Sequence, residues 1–141
     1  MRLQLVTLTG TKFDEEAYQV VLPTLDGEIS VFAQHMPLVS VVTPGIITIR
    51  RKSADRDDQQ EVFATEGGIV EVMNNSVRML VDEATHGDAI HEAEAREALA
   101  RARKLKDQAK DSLSLEHAQA VIDRESVRLK VAEIRRHKRK A

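Results

Sequence analysis

The chain has 141 residues, no cysteine, 42% hydrophobic and 3% aromatic residues, and a formal net charge of -2. That length holds one ordinary domain or two small ones, and the missing cysteines exclude a disulfide framework and a cysteine-based metal site. No apolar stretch is long enough for a signal peptide or a membrane span, so the sequence reads as a soluble protein that is not exported. The net charge conceals an asymmetry, with 7 basic against 13 acidic side chains before Ala84 and 14 against 10 after it. An acidic front and a basic back imply separate partners for the two parts, or attraction between them.

Up to Ala84 the chain reads as short strands rich in β-branched residues and separated by turn chemistry. Arg2 to Thr7 comes first, with Leu3, Leu5 and Thr7 on one face. Glu16 to Leu22 follows, then a turn at Pro23 to Gly27, because proline fixes φ and glycine accepts a positive one. Glu28 to Phe32 is next. Leu38 to Val42 is apolar enough to be buried on both faces, and Thr43-Pro44-Gly45 turns it into Ile46 to Arg50. Lys52 to Gln60 is too polar to pack. Glu61 to Thr65, Gly68 to Met73 and Ser76 to Val81 complete eight strands, the last two joined by a tight turn at Asn74-Asn75. Strands without intervening helices predict an antiparallel β-sandwich or barrel over residues 1–84.

All glycines, prolines and aromatic residues lie at or before Gly87, and beyond it the apolar period changes from two to about 3.6. Ala95, Ala98, Ala102, Leu105 and Ala109 form a thin stripe on a first helix. Asp111 to Ser114 supplies capping oxygens and a break. A second helix runs from about Leu115 to near the end, and the short connection predicts an antiparallel two-helix hairpin over residues 85–141. At 100° per residue the second helix has two apolar sides. Leu115, Ala118, Val121, Ile122, Leu129 and Ala132 lie on one, and Ala120, Val127, Val131 and Ile134 on the other. One seam faces the first helix; the other rests on the sandwich, faces a partner, or exchanges between them.

No catalytic, cofactor or metal constellation emerges. The histidines are scattered without the spacing of metal ligands, Glu66-Gly67-Gly68 lacks the lysine and helix of a phosphate loop, and Asp55, Asp57 and Asp58 lack the glycine and glutamate of a calcium loop. The basic end, from Arg135 to Lys140, reads as a solvated helix end, a nucleic-acid or anionic-membrane patch, or a dock for an acidic protein. The absence of aromatics in that half weakens a nucleic-acid reading.

Taken in order, Val21–Ile29, His35–Val39, Pro44–Ile49, Gly67–Val72 and Val77–Ala84, followed by a two-helix tail, resemble the epsilon subunit of rotary ATP synthases. The resemblance implies a non-catalytic rotor subunit of the central stalk, at the cytoplasmic face of the cell membrane and peripheral to it, that couples proton flow to ATP synthesis. It implies gamma and the c-ring as partners, with Asp26, Gly27, Glu28 and His35 at the rotor contact, and no nucleic acid. It also implies that the hairpin inhibits ATP hydrolysis by extending into the catalytic head. There the basic side chains Arg128, Arg135, Arg136, Lys138, Arg139 and Lys140 would meet the alpha and beta subunits. A helix of about 27 residues would be about 40 Å long, enough for that reach.

Two departures from the family pattern stand out. Ser30 to His35 replaces Gly-x-x-Pro-Gly-His, which predicts a different backbone before His35. The ATP-binding Ile/Leu-Asp-x-x-Arg-Ala of some members is altered to Ile90-His91-Glu92-Ala93-Glu94-Ala95, with His91 for the aspartate and Glu94 for the arginine. A carboxylate there repels phosphate, so no bound ATP or other cofactor is expected. The alternative is a free-standing adaptor whose basic tail binds nucleic acid or an acidic protein, recognisable by salt-sensitive binding without an ATPase partner.

Overall fold

The computed structural model describes the backbone of residues 1–140 and the side chains of residues 1–138. It contains ten strands: β1 (Arg2–Thr7), β2 (Gly10–Glu16), β3 (Gln19–Thr24), β4 (Gly27–Phe32), β5 (Leu38–Val42), β6 (Gly45–Arg50), β7 (Glu61–Thr65), β8 (Gly68–Met73), β9 (Ser76–Val81) and β10 (Ala84–His86). Helices α1 (Glu92–Gln108) and α2 (Ser112–Lys140) follow. The strands pair in the order β10-β7-β6-β3-β5-β8-β9-β1-β2, with β4 on the other edge of β3. Along its length β3 changes neighbour. Gln19 to Val21 pair with β6, whereas Thr24 alone bridges to β5, which divides the strands into two layers.

Inward side chains of both layers form one core. Val20, Leu22, Ile47, Ile49 and Phe63 from the first meet Leu3, Leu5, Val70, Val72, Val77 and Met79 from the second. The sandwich is antiparallel except where β1 lies parallel to β9, since β1 and β9 are far apart in sequence and no hairpin constrains their direction.

The predicted strand Glu16 to Leu22 is in fact the end of β2, a bend and the start of β3. β2 is missing from the sequence reading because its seven residues carry a single buried apolar side chain, Phe13. Distant groups hold it: Arg51 pairs with Glu15 on β2 and Glu61 on β7, and its guanidinium lies 4.9 Å from the Phe13 ring centroid. Lys12, Asp14, Glu15 and Glu16 make the rest of β2 largely charged, as suits an edge strand that must not pair with another chain.

β5 is not buried on both faces, as its sequence suggests. Val39 and Val41 are 68% and 45% exposed. The doubly buried strand is β7, whose outward Val62 and Ala64 lie beneath α2 while Phe63 points into the core. The expected boundary at residue 84 cuts through β10, which pairs Ala84 with Thr65 and His86 with Phe63. The sheet therefore ends two residues later, at His86. The segment 52–60, read as unable to pack, is tied down by Arg50, which donates to the Asp55 carbonyl at 2.7 Å and pairs with Asp57 at 2.6 Å.

Asn74 and Asn75 have φ of 51° and 59°, as the tight turn requires. The predicted cap of α2 is present, since the Asp111 carboxylate accepts the Ser114 N–H at 2.7 Å, but Ser112 to Ser114, read as part of a break, are already helical and the break is Ala109 to Asp111. On α1 the buried residues are Ala95, Leu99 and Ala102. Leu105, placed on the same stripe by the sequence, is 60% exposed.

Candidate functional site on the helical hairpin

The second helix has the two faces its periodicity predicts. Val127, Val131 and Ile134 pack with Ile46, Val62, Ala64 and Ile90, a cluster separate from the sandwich core. Ala118 and Ala132, from the other seam, are also buried. In this conformation the second seam rests on the sandwich. Close approach at the hinge is possible because residue 87 is glycine. A Cβ built there would lie 2.7 Å from Cγ of Arg135 and 3.2 Å from Cγ1 of Val131, inside van der Waals contact.

Between the two seams runs a row of arginines, each facing a carboxylate from a different element. Arg124 lies 3.6 Å from Glu66, after β7. Arg128 pairs with Glu83 at 2.5 Å, after β9, and reaches the Thr85 hydroxyl at 3.5 Å. Arg135 pairs with Asp88 in the linker, and Arg136 lies 3.2 Å from Glu92 at the start of α1. All these pairs are partly exposed, so each contributes at most about 1 kcal/mol. The hairpin is therefore fastened by many weak contacts that one competing acidic surface could replace together.

Two groups bear the cost of this arrangement. Glu66 is held above the ordinary carboxylate range, chiefly by burial and then by the neighbouring Glu83, against the opposing charges of Arg124 and Arg128. Burial, reinforced by Arg135, pulls the Lys138 ammonium below its ordinary range, and Asp57 and Asp58 oppose the shift. Glu125 is 4% exposed within α2, with Arg124 at 3.2 Å and Arg128 at 3.9 Å. The sequence reading missed Glu125. It does fall on the alanine seam of α2, and a charge on an apolar stripe was the available signal.

Of the cations expected to dock in the catalytic head, Arg128, Arg135 and Arg136 are thus engaged within this chain, and Lys138 lies within the influence of Asp57 and Asp58. The side chains of Arg139 and Lys140 lie outside the described residues. The expected rotor contact is not gathered in one place. Asp26, Gly27 and Glu28 are exposed at the β3–β4 turn, where Gly27 has φ 110° and its carbonyl accepts the Thr24 hydroxyl at 2.7 Å. His35 follows the far end of β4, about 17 Å away at 3.3 Å per residue. It is half-buried, with Nδ1 2.7 Å from the Met36 carbonyl oxygen.

In the loop before His35, Gln34 has φ 63°, in the left-handed region that glycine adopts most easily, and its N–H donates to Asn75 Oδ1 at 2.9 Å. His91 and Glu94 line a cleft of about 330 Å³ between the linker, α1 and α2. Glu97, Arg101, Glu125 and Arg128 share it, so three carboxylates oppose two guanidinium groups in that space.

The outer face of the second layer is bare. Val39 and Val41 on β5, Ile69 and Met73 on β8, and Leu80 on β9 are all between 45% and 68% exposed. Register places Val41 beside Ile69 and Ile69 beside Leu80, so these side chains form one surface. Contiguous apolar patches of this kind mark interaction sites.

A family model described as ATP synthase, Delta/Epsilon chain, beta-sandwich domain matches residues 1–87. The ATP synthase epsilon chain of Neisseria meningitidis is 31% identical over 140 residues, covering 99% of this chain and 98% of the relative. The chain belongs to the ATP synthase epsilon family. The epsilon chain of Chromobacterium violaceum is 32% identical over 122 residues, covering 86% and 85% of the two chains. Epsilon-like folds recur in solved assemblies. A chain of the Euglena gracilis mitochondrial ATP synthase, in a structure of OSCP/F1/c-ring, superposes with a TM-score of 0.80 at 21% identity. It is matched over 94% of this chain and 81% of that one. A chain from the central stalk/c-ring of the Tetrahymena thermophila enzyme gives 0.61 at 16% identity, over 94% and 96%. The family model ends at the glycine against which α2 packs. The β-sandwich with its helical hairpin is the fold that the epsilon resemblance implies.

Proposed function

We propose that this chain is a rotor subunit in the central stalk of a proton-translocating ATP synthase. The bare face of Val39, Val41, Ile69 and Leu80 docks on gamma, and an end of the sandwich meets the c-ring. The observation that carries this reading is the pair of outer faces: one layer is covered by the hairpin, and the other exposes a contiguous apolar surface on an epsilon-family sandwich. The chain makes and breaks no bond in this role; it transmits torque and position. Among the described residues no helix is long and apolar enough to cross a membrane, so attachment to the membrane runs through the complex. The separation of His35 from the Asp26–Glu28 turn requires that the c-ring contact use one end of β4 rather than both.

The hairpin is the regulatory part. Its weak, partly exposed ion pairs hold Arg128, Arg135 and Arg136 against carboxylates of this chain. On release, the same cations are available to an acidic surface of the head, where the inserted α2 blocks hydrolysis. Stalk docking is tested by Ile69→Asp, which places a charge at the centre of the bare face without touching the core. Gamma and the c-ring should then fail to co-purify with an otherwise folded chain. Undiminished co-purification would remove this face from the interface.

A further inference from the structure

His86 ends β10, and the linker turns from it toward α1. Its Nδ1 accepts the Asp88 N–H at 3.1 Å, which caps the short 3-10 turn Gly87–Ala89. A ring nitrogen that accepts an N–H carries no proton, so the capping imidazole is neutral and protonated on Nε2. Nε2 lies 3.7 Å from Glu61 on β7, and the ring stands edge-on to Phe63 with centroids 5.0 Å apart. Asp88 is therefore held from two sides: its N–H by His86 and its carboxylate by Arg135 of α2. Gly87, between them, lies directly against Arg135 and Val131 of α2.

Protonating Nδ1 would reverse this arrangement. The acceptor becomes a donor facing another donor, so the cap is lost. The new imidazolium N–H also lies within reach of the Asp88 carboxylate, whose Oδ2 is 3.5 Å away, and there it competes with Arg135. We propose that His86 is a proton switch at the hinge: its neutral ring holds the turn that presents Asp88 to Arg135, and its protonation releases the second helix from the sandwich.

Every element around the ring contributes charge. Glu61 from β7 and Asp88 from the linker attract the imidazolium, and Arg135 from α2 repels it. Lys12 from β2, with Asp82 and Glu83 from the segment after β9, line the groove on which the ring opens. On balance burial holds His86 below its ordinary value; Glu61 opposes that shift and Arg135 reinforces it. Docking thus favours the neutral ring. Its stabilising contribution is complete above about pH 6.5 and is lost as the pH falls through the lower value of the docked state. One linked proton changes the open-to-closed ratio by at most about tenfold per pH unit.

The switch concerns an equilibrium within this chain, and its readout needs no ATP hydrolysis, so it stands or falls separately from the inhibitory role. Where that role holds, acid favours the inhibiting form. The test uses the full chain, free of native cysteine, carrying spin labels at the exposed positions Ser53→Cys and Ser126→Cys. The distance between the labels is followed by pulsed electron paramagnetic resonance as the pH is lowered from about 8 to about 5. A longer-distance population should grow below about pH 6.5, by up to about tenfold per unit. His86→Asn, whose amide oxygen can accept the Asp88 N–H without titrating, should abolish the step and stay closed; His91→Asn should keep it. No step in the parent chain, or an equal step in His86→Asn, overturns the proposal. Should His86→Asn be open at every pH, the imidazole titration by nuclear magnetic resonance decides. A pKa lower in the parent chain than in the undocked Val131→Asp variant upholds the switch, and an equal or higher one overturns it.

Discussion

At the scale of single residues, two backbone positions show how this chain departs from sequence habit and remains folded. Gln34 occupies left-handed backbone without being glycine, at a cost of about 1 kcal/mol. Gln34→Gly should therefore raise rather than lower stability, by up to about 1 kcal/mol, in a denaturant titration of the whole chain. A loss would show that the Gln34 side chain makes a contribution larger than its strain. Asp111 is the opposite case, a residue in its preferred role. Its carboxylate accepts the Ser114 backbone N–H and is held below the ordinary carboxylate range by that bond and by the Ser114 hydroxyl. The cap is thus complete above about pH 4 and is lost as the pH falls through the lowered value. Amide exchange at Ser114 should accelerate over that acid range, and in Asp111→Asn the acceleration should vanish.

At the scale of elements, local signals and distant ones separate clearly. Seven of the eight predicted strands coincide with strands within a residue or two, because alternation and turn residues are local information. β2 was illegible. Its Phe13 is one apolar residue among polar ones, and its clamp comes from Arg51, 36 positions beyond Glu15. The first-helix stripe was misread at two positions: Leu99, left out of it, is buried, and Leu105, placed on it, is exposed. The two-sided character of α2 was legible along its C-terminal half, whereas Leu115 and Ala120, read onto the two seams, are exposed; its arginine row was not legible, since the carboxylate partners lie in connecting segments and at the start of α1, 40 or more residues away. Val131 tests the docked seam. It is fully buried between α2 and β7, so Val131→Asp places an unpaired charge in an apolar seam. Solution scattering should then show a more extended molecule, while the near-ultraviolet signal of the sandwich aromatics is retained. A compact Val131→Asp chain would mean that the ion pairs alone hold the hairpin.

At the scale of the whole molecule, the decisive feature is that two cores exist. The large one contains only residues from Met1 to Ala84; the small one joins α2 to the outside of β6 and β7. The compositional break at Gly87 therefore coincides with the boundary of the main core. The main core of the sandwich owes nothing to the hairpin, whereas Val62 and Ala64 on the outside of β7 are covered by α2, and the partly exposed ion pairs add about 1 kcal/mol or less each. Charge asymmetry along the sequence has the same meaning in three dimensions: carboxylates after β7 and β9 hold arginines of α2. The rotor-contact residues remain the least legible part of the chain, because a turn carboxylate looks the same whether it meets a partner or water. The most direct measurement compares ATP hydrolysis by the assembled synthase carrying the full chain with that of one carrying residues 1–87, which retain β10. The account predicts intact assembly and faster hydrolysis with the shortened chain; equal rates in two fully assembled complexes would contradict it.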